Sequence, residues 1–427
     1  MIFMEYVPPR RKFLNEHLVY DESQLDEIPG EFYLYYIRLT TEFLPPAFEM
    51  TVLFKKANKS IETLENCRKQ CKIPKFVKDD INSGRAKLVL DYSTEGYWDI
   101  DWEWISNVLE INEDRIIWLT STYNFAECSK DAESHYDVSL DNTSAEVRYN
   151  PLWERIVVQM CYEHVADIEK QINLIDSLHE RPLMALTYNR RPHFHRIALL
   201  SKLHYHNELD NMIWSWGGFQ PENEVGSDLW KKNIKDYSSS GHVLLDEKYN
   251  ESYDIILKSP EHSDEDLSIN KAFDMNYSHI YDTYYQVITE TNFQSPGIFL
   301  SEKSYKPFLS CQPFVLCGQT GTVNVLRLQG YDVYDTWINH EYDNIINDKE
   351  RMSVLMKEIS RLNSLSHEEW TKMLKEMLPT IKKNITHLLD SYDNKDVLTF
   401  NYEHLGILPY FSFRTGYIGI PNVNTNA

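Results

Sequence analysis

The sequence predicts an α/β protein with two parallel-sheet halves and a helical carboxyl-terminal segment. Three observations lead there. Short continuous apolar runs recur as KLVLDY at 87–92, RIIWLT at 115–120, PLMALTY at 182–188 and YQVIT at 285–289, the pattern of strands buried on both faces. Helical stretches separate them, which is the rhythm of parallel strands joined by crossovers. That rhythm restarts after a long helical stretch at 152–178. The expected domains are therefore 1–180, 181–362 and a helical segment with its tail, 363–427.

In the first half, the strand at 87–92 is bounded by Ser83-Gly84 and by Ser93 to Gly96, both turn-rich. A helix is expected over 101–109 and a strand over 115–120. In the second half the run at 182–188 gives way to a polar, basic loop, Asn189 to Arg196. A helix over 197–209 and a strand over 212–216 should follow, with a short strand at 253–256 and another at 285–289. Next come a helix at 303–311, a strand at 313–317, a helix at 323–329 stopped by Gly330, and a strand at 331–334. Beyond Asn347 the pattern is helical. Ser366 and Glu369 have the spacing of a capping box, and Pro379 should kink or break its helix.

The totals narrow the function classes. The 427 residues allow two or three domains at roughly 150 residues each. Hydrophobic content of 42% with 25% charged residues is that of a globular chain, not a disordered one. The 28 Tyr and 10 Trp suit stacking on sugars or bases, and suit a large core equally. A net charge of −22 opposes nucleic acid and anionic lipid at long range, unless basic side chains line one groove. The six cysteines form no CxxC pair and read as reduced thiols. No apolar run approaches the ~18 residues of a membrane span, and MIFMEYVPPRRKFL lacks a signal pattern. A cytoplasmic protein is expected.

Two stretches carry candidate chemistry. ALTYNRRPHFHRIALLSKL, Ala185 to Leu203, ends a strand in Asn189-Arg190-Arg191 and starts a helix whose first turn holds His195 and Arg196. Arginine suits bidentate phosphate binding, and a helix N-terminus adds N–H donors. The competing account is a solvated basic loop paired with acidic neighbours. FLSEKSYKPFLSCQPFVLCG, Phe299 to Gly318, places Glu302 and Lys303 where a strand yields to a helix, with Lys306 one turn on. The glutamate can accept from sugar or ribose hydroxyls, and either lysine can neutralise phosphate. The turn Gly318-Gln319-Thr320-Gly321 would let a ligand approach the backbone, or would simply connect two elements.

This second segment resembles the donor-binding motif of GT-B glycosyltransferases, especially the fucosyltransferase-like group. There a [ST]-E-K at a strand end precedes a helix and a Pro-aromatic-Val strand. It is also similar to phage and bacterial glycosyltransferase sequences that pair N-R-R-P-x-x-H-R with T-E-K-x-x-K-P, here NRRPHFHR and SEKSYKPF. GYDVYDTWINHEYDNIINDKERM follows the same group, so the resemblance spans roughly 184–352. It implies two Rossmann-like domains facing a cleft, a nucleotide-sugar donor as substrate, and no separate cofactor. It assigns Arg196 and Arg190 to the donor pyrophosphate, Glu302 to the sugar or ribose hydroxyls and Lys303 to the phosphate. Ser301 stands where many relatives have Thr. For a phage-encoded chain the compartment would be the host cytoplasm.

The resemblance fixes no base. Asp91 and Glu95 follow the strand KLVL and should face the cleft, where a carboxylate could take the acceptor proton. Asp99-Ile100-Asp101 is a D-x-D, a possible metal site, but Asp101 precedes Trp102 and Trp104 as a helix cap would. A metal-independent transfer is therefore expected. The acceptor is a glycan, a small molecule or, in a rival reading, hydroxymethylated DNA. A second rival is a non-catalytic binding or assembly protein of the same fold.

Overall fold

The structure is a computed structural model that describes residues 33–38, 60–70, 75–91, 101–123, 144–149, 152–190, 193–217, 244–258, 275–294 and 297–393. Among these residues it is α/β, with two all-parallel four-stranded sheets, and the chain divides into two compact units. Trp153–Ser391 form one unit; the other contains Met1–Leu152 and Tyr392–Ala427. The helical stretch from 153 to 176 and most of the helical segment after 362 thus fall in the second unit.

The described part of the first unit holds β1 (Tyr33–Arg38), α1 (Ile61–Gln70), α2 (Lys75–Asn82), β2 (Ala86–Asp91), α3 (Trp102–Leu109), β3 (Ile116–Thr120) and β4 (Glu146–Tyr149). Its strands lie in sequence order, β1-β2-β3-β4. Leu88, Leu90, Ile116 and Trp118 are buried, as continuous apolar runs require. Asp101 is the N-cap of α3: its Oδ1 accepts from Trp104 N at 2.9 Å. Trp102, held at the first turn of that helix, meets Trp118 of β3 edge to face, 5.4 Å between centroids.

The second unit begins with α4 (Leu152–Glu163) and α5 (Val165–Asp176), the long helical stretch interrupted at His164. Then follow β5 (Leu183–Asn189), α6 (Phe194–Tyr205), β6 (Met212–Trp216), α7 (Asn250–Lys258), α8 (Tyr277–Tyr281), β7 (Thr283–Thr289), α9 (Glu302–Leu309), β8 (Phe314–Cys317), α10 (Thr322–Leu328), α11 (Asp348–Asn363) and α12 (His367–Asp393). The strand order is β6-β5-β7-β8. The chain steps from β5 to β6, then returns past β5 to β7, so the order reverses between β5 and β7. Such a switch point opens a crevice at the carboxyl ends of its two strands, where open α/β sheets bind ligands.

The core runs from α4 through the sheet to α12. Trp370 of α12 lies nearly parallel to Tyr284 and Tyr285 of β7, at 5.5 and 5.2 Å, and donates its indole N–H to Leu362 O at 2.9 Å. Ser366 and Glu369 form the reciprocal capping box: Glu369 N donates to Ser366 Oγ, and Ser366 N to Glu369 Oε2.

Three sequence expectations are corrected. Residues 253–256 are helical, part of α7, not a strand. Ile256 is buried while Ile255 is 40% exposed, and Tyr253 and Leu257 pack partly on the core, a spacing of three and four. Residues 331–334 form no strand. Asn384 of α12 takes the place of a neighbouring strand: its Oδ1 accepts from Asp332 N at 2.9 Å and its Nδ2 donates to Asp332 O at 2.7 Å. Tyr334 then turns into the left-handed region, φ 67°. Pro379 does not break α12, which runs through it.

Gly217 closes the end of β6 against β5. Its N–H donates to Asn189 O at 2.9 Å, and a Cβ built on it would lie 2.3 Å from the backbone oxygen of Arg190. Backbone cannot swing aside as a side-chain tip would. Gly217→Ala should therefore cost about 3 kcal/mol, read as a lower urea midpoint; an unchanged midpoint would contradict this packing.

Candidate functional site at the carboxyl edge of the second sheet

Three segments converge at the switch point. The end of β5 contributes Asn189 and leads into α6, whose first turn carries His195 and Arg196. The end of β7 contributes Thr289 and Glu290. The start of α9 contributes Ser301, Glu302 and Lys303.

Asn189 is fully buried and braces the end of β5 against the end of β7. Its Oδ1 accepts from Thr289 Oγ1 at 2.8 Å, tying β5 to β7, and its Nδ2 donates to Thr187 Oγ1 at 3.2 Å. Those bonds give it a structural duty at the place where donor contact was expected. Arg196 is buried and reaches across to β7: its Nη2 donates to Thr289 O at 3.4 Å and Glu290 O at 3.2 Å. A cation is thus set at the carboxyl end of β7. Arg190 is half-buried and leaves β5 directly; Arg191 lies outside the described residues.

His195 packs beside Arg196, stacked on Phe293 at 5.5 Å. Its Nε2 lies 2.9 Å from Glu290 O. A carbonyl only accepts, so Nε2 carries the proton and Nδ1 the lone pair. Burial, followed by the neighbouring Arg196 guanidinium, pulls the imidazole down to about 3. The folded state therefore refuses a proton that the unfolded chain takes up near pH 6.5. Stability contributed by this site is complete above that value and declines as pH falls from about 6.5 toward 3, by at most ~1.4 kcal/mol per pH unit. His195→Gln keeps an N–H donor and does not titrate, so the fall in urea midpoint across that window should flatten. An identical slope in both proteins would count against a buried neutral imidazole.

Ser301 is the N-cap of α9, its Oγ accepting from Lys303 N at 3.3 Å and from Lys303 Nζ at 3.1 Å. Lys303 Nζ also donates to Glu302 Oε1 at 2.9 Å. Burial pushes the Glu302 carboxyl upward, but Lys303 and Lys306, with hydrogen bonds from Lys303 and its own backbone, outweigh that and hold it below its usual range. The result is an ionised, buried carboxylate paired with a lysine whose side chain stays 30% exposed. Such a pair can accept from hydroxyls through the carboxylate and offer an ammonium to a phosphate.

The Gly318–Gly321 turn is built differently from expectation. Gly321 has φ +84° and donates its N–H to Asp343 O at 2.8 Å. The Asp343 carboxylate then accepts from Val323 N at 3.0 Å and Asn324 N at 2.9 Å. The start of α10 is thus filled by the chain's own anion, and an incoming phosphate would meet a carboxylate there. Gln319 serves structure too, accepting from Phe299 N at 3.0 Å and donating to Gly297 O. Gly318 lies beside Glu290, whose Cβ would be 3.5 Å from an added Cβ.

Glu290 escaped the sequence reading. It is fully buried, and its carboxylate accepts four hydrogen bonds, from Ser301 N, Ser301 Oγ, Ser304 Oγ and Thr291 N. The available signal was a glutamate directly after the apolar run YQVIT, where a buried strand end leaves a carboxylate little access to water.

The remaining candidates lie elsewhere. Asp91 ends β2 in the first unit; Glu95 and Asp99 lie outside the described residues. Lys306 stands one turn into α9, on the same helix as Glu302. Among the described residues no group of three His, Cys, Asp or Glu side chains is placed to hold a metal, and no helix is long and apolar enough to cross a membrane. Comparison with protein-family models, with curated proteins and with solved structures finds no match.

Proposed function

We propose that the chain is a GT-B-type glycosyltransferase whose second unit binds a nucleotide-sugar at the crevice between β5 and β7. One observation carries the reading. At a topological switch point, the cation Arg196 and the pair of buried Glu302 with half-exposed Lys303 stand on elements joined through Glu290. Arg196 and Lys303 suit a diphosphate, and the Glu302 carboxylate suits vicinal hydroxyls. Two positively charged groups beside an anionic carboxylate are of little use to an apolar ligand.

In this reading the acceptor hydroxyl attacks the anomeric carbon and the bond to the diphosphate oxygen breaks. The hydroxyl proton passes to a base, and Arg196 and Lys303 stabilise the charge gathering on the departing diphosphate. The candidates for the base are Glu95 and Asp91; inversion follows from the fucosyltransferase likeness alone. The acceptor is a glycan or small molecule, since the net charge of −22 weighs against modified DNA.

Calorimetry with GDP, UDP, ADP, CDP and dTDP tests the reading. One of them is expected to bind with micromolar affinity, and binding and transfer should survive EDTA, because no step needs a cation between like charges. Failure of the whole panel, or loss of transfer on chelation with recovery on adding Mn²⁺, would sink it.

A further inference from the structure

Resting on that donor-site reading, we infer that Glu290 is the positioning residue of the site, setting where the Ser301–Lys303 turn stands relative to Arg196 while touching no ligand itself. Its two ends serve two helices. The main-chain oxygen accepts from His195 Nε2 at 2.9 Å and Arg196 Nη2 at 3.2 Å, fixing the start of α6. The side chain fixes the start of α9. Oε1 accepts from Ser301 N at 3.0 Å and Ser304 Oγ at 2.6 Å; Oε2 accepts from Thr291 N at 2.9 Å and Ser301 Oγ at 2.7 Å.

The direction of this network is determined. Lys303 donates to Ser301 Oγ through both N and Nζ, so that hydroxyl's own proton goes to Glu290. Four donors use the lone pairs of both carboxylate oxygens, leaving none for a ligand. Two of the donors are backbone N–H groups, one on each oxygen, and neither can be reversed. A glutamine in either flip would therefore turn its NH₂ toward a backbone N–H. The site requires an acceptor at both oxygens, which only glutamate supplies at this length.

A double-mutant cycle separates positioning from plain stabilisation. In the otherwise unaltered full chain, Glu290→Gln should weaken binding of the best of GDP, UDP and ADP about tenfold, the order of one buried charged hydrogen bond. In a Glu302→Ala/Lys303→Ala background the further loss should be under about twofold, because both ligand-binding residues of the positioned turn are gone. Equal losses in both backgrounds, or no loss in either, overturn the assignment. Should Glu290→Gln fail to fold, Ser304→Ala removes a single donor from Oε1 and runs the same cycle, with about a threefold loss expected in the first arm and none in the second. If the unaltered protein binds none of these diphosphates, the donor reading fails, and hydrogen exchange then decides Glu290 alone. Faster exchange confined to the amides of Ser301 to Ser304 in the variant supports positioning of that turn. A uniform increase, or none, overturns it.

Discussion

Replacing Glu302 with alanine should abolish sugar transfer and leave a cooperatively folded protein. The carboxylate is buried and pairs with Lys303, which keeps Ser301 Oγ at 3.1 Å and is 30% exposed. Water can take over the lost partner's role, so folding should lose no more than about 1 kcal/mol, including the favourable placement of a negative charge in a helix's first turn. Transfer has no such substitute. A charged acceptor holding hydroxyls at a reacting sugar contributes roughly 3–4 kcal/mol to the transition state, a rate loss of about 10²–10³. Turnover with whichever donor binds, measured beside a thermal melt, reads both effects. Full activity, or a collapsed melt, would falsify the placement of Glu302 in the donor site.

Arg351→Ala should have the largest effect on stability. This guanidinium is 2% exposed and donates to Phe293 O at 2.7 Å, Thr320 Oγ1 and Ile345 O at 2.9 Å, Ile346 O at 3.2 Å and Asp348 Oδ1 at 2.5 Å. It also lies 4.1 Å over the ring of Phe293. Truncation leaves the buried Phe293 carbonyl and several half-buried acceptors without their donor, a loss of about 3 kcal/mol. For a domain of this size that lowers the melting temperature by roughly 10 °C. Arg351→Lys should recover only a small part, because an ammonium cannot present a planar fork to five acceptors. Scanning calorimetry of both variants checks this: a shift under about 2 °C for alanine, or full recovery with lysine, would contradict the role. Phe293 also stacks on His195, so the damage should reach the crevice.

Strands that are apolar throughout were legible, because a parallel strand buried on both faces has no polar alternation to confuse it. The runs at 87–92, 115–120 and 285–289 correspond to β2, β3 and β7 to within a residue or two at most ends. The misreadings share a cause. YDII, 253–256, is four residues long, too short to separate a period of two from one of three and four, and the packing of Ile256 decides it. At 331–334 the buried side chains look like a strand's, but Asn384, some fifty residues on, supplies the backbone partners. Pro379 signals a break only where neighbours do not hold the helix, and Met377, Leu378 and Ile381 around it are core residues.

The site divides the same way. Arg196, Glu302 and Lys303 were legible as charged residues at strand-to-helix junctions, where charge needs a reason. Glu290 and Asp343 were not, because each acts by filling hydrogen bonds of a segment distant in sequence. Asn189 and Gly321 show the converse: sequence placed them in the right neighbourhood, while their own bonds are spent on holding it together.

The reversal of strand order between β5 and β7 has a consequence for biosynthesis. The bonds that make the crevice span long stretches of chain: Asn189 to Thr289 is 100 residues, and His195 to Glu290 is 95. Closing such a loop costs about 4 kcal/mol of chain entropy before any contact offsets it. While a ribosome is still adding the residues before β7, the emerging segment of the second unit holds β5, β6 and α6 with the switch-point edge of β5 uncovered, and Arg196 lacks the carbonyls that place it. The crevice can close only after β7 and the start of α9 have left the exit tunnel. Until then the nascent chain carries an open sheet edge, the kind of surface that chaperones shield and that pairs wrongly when crowded.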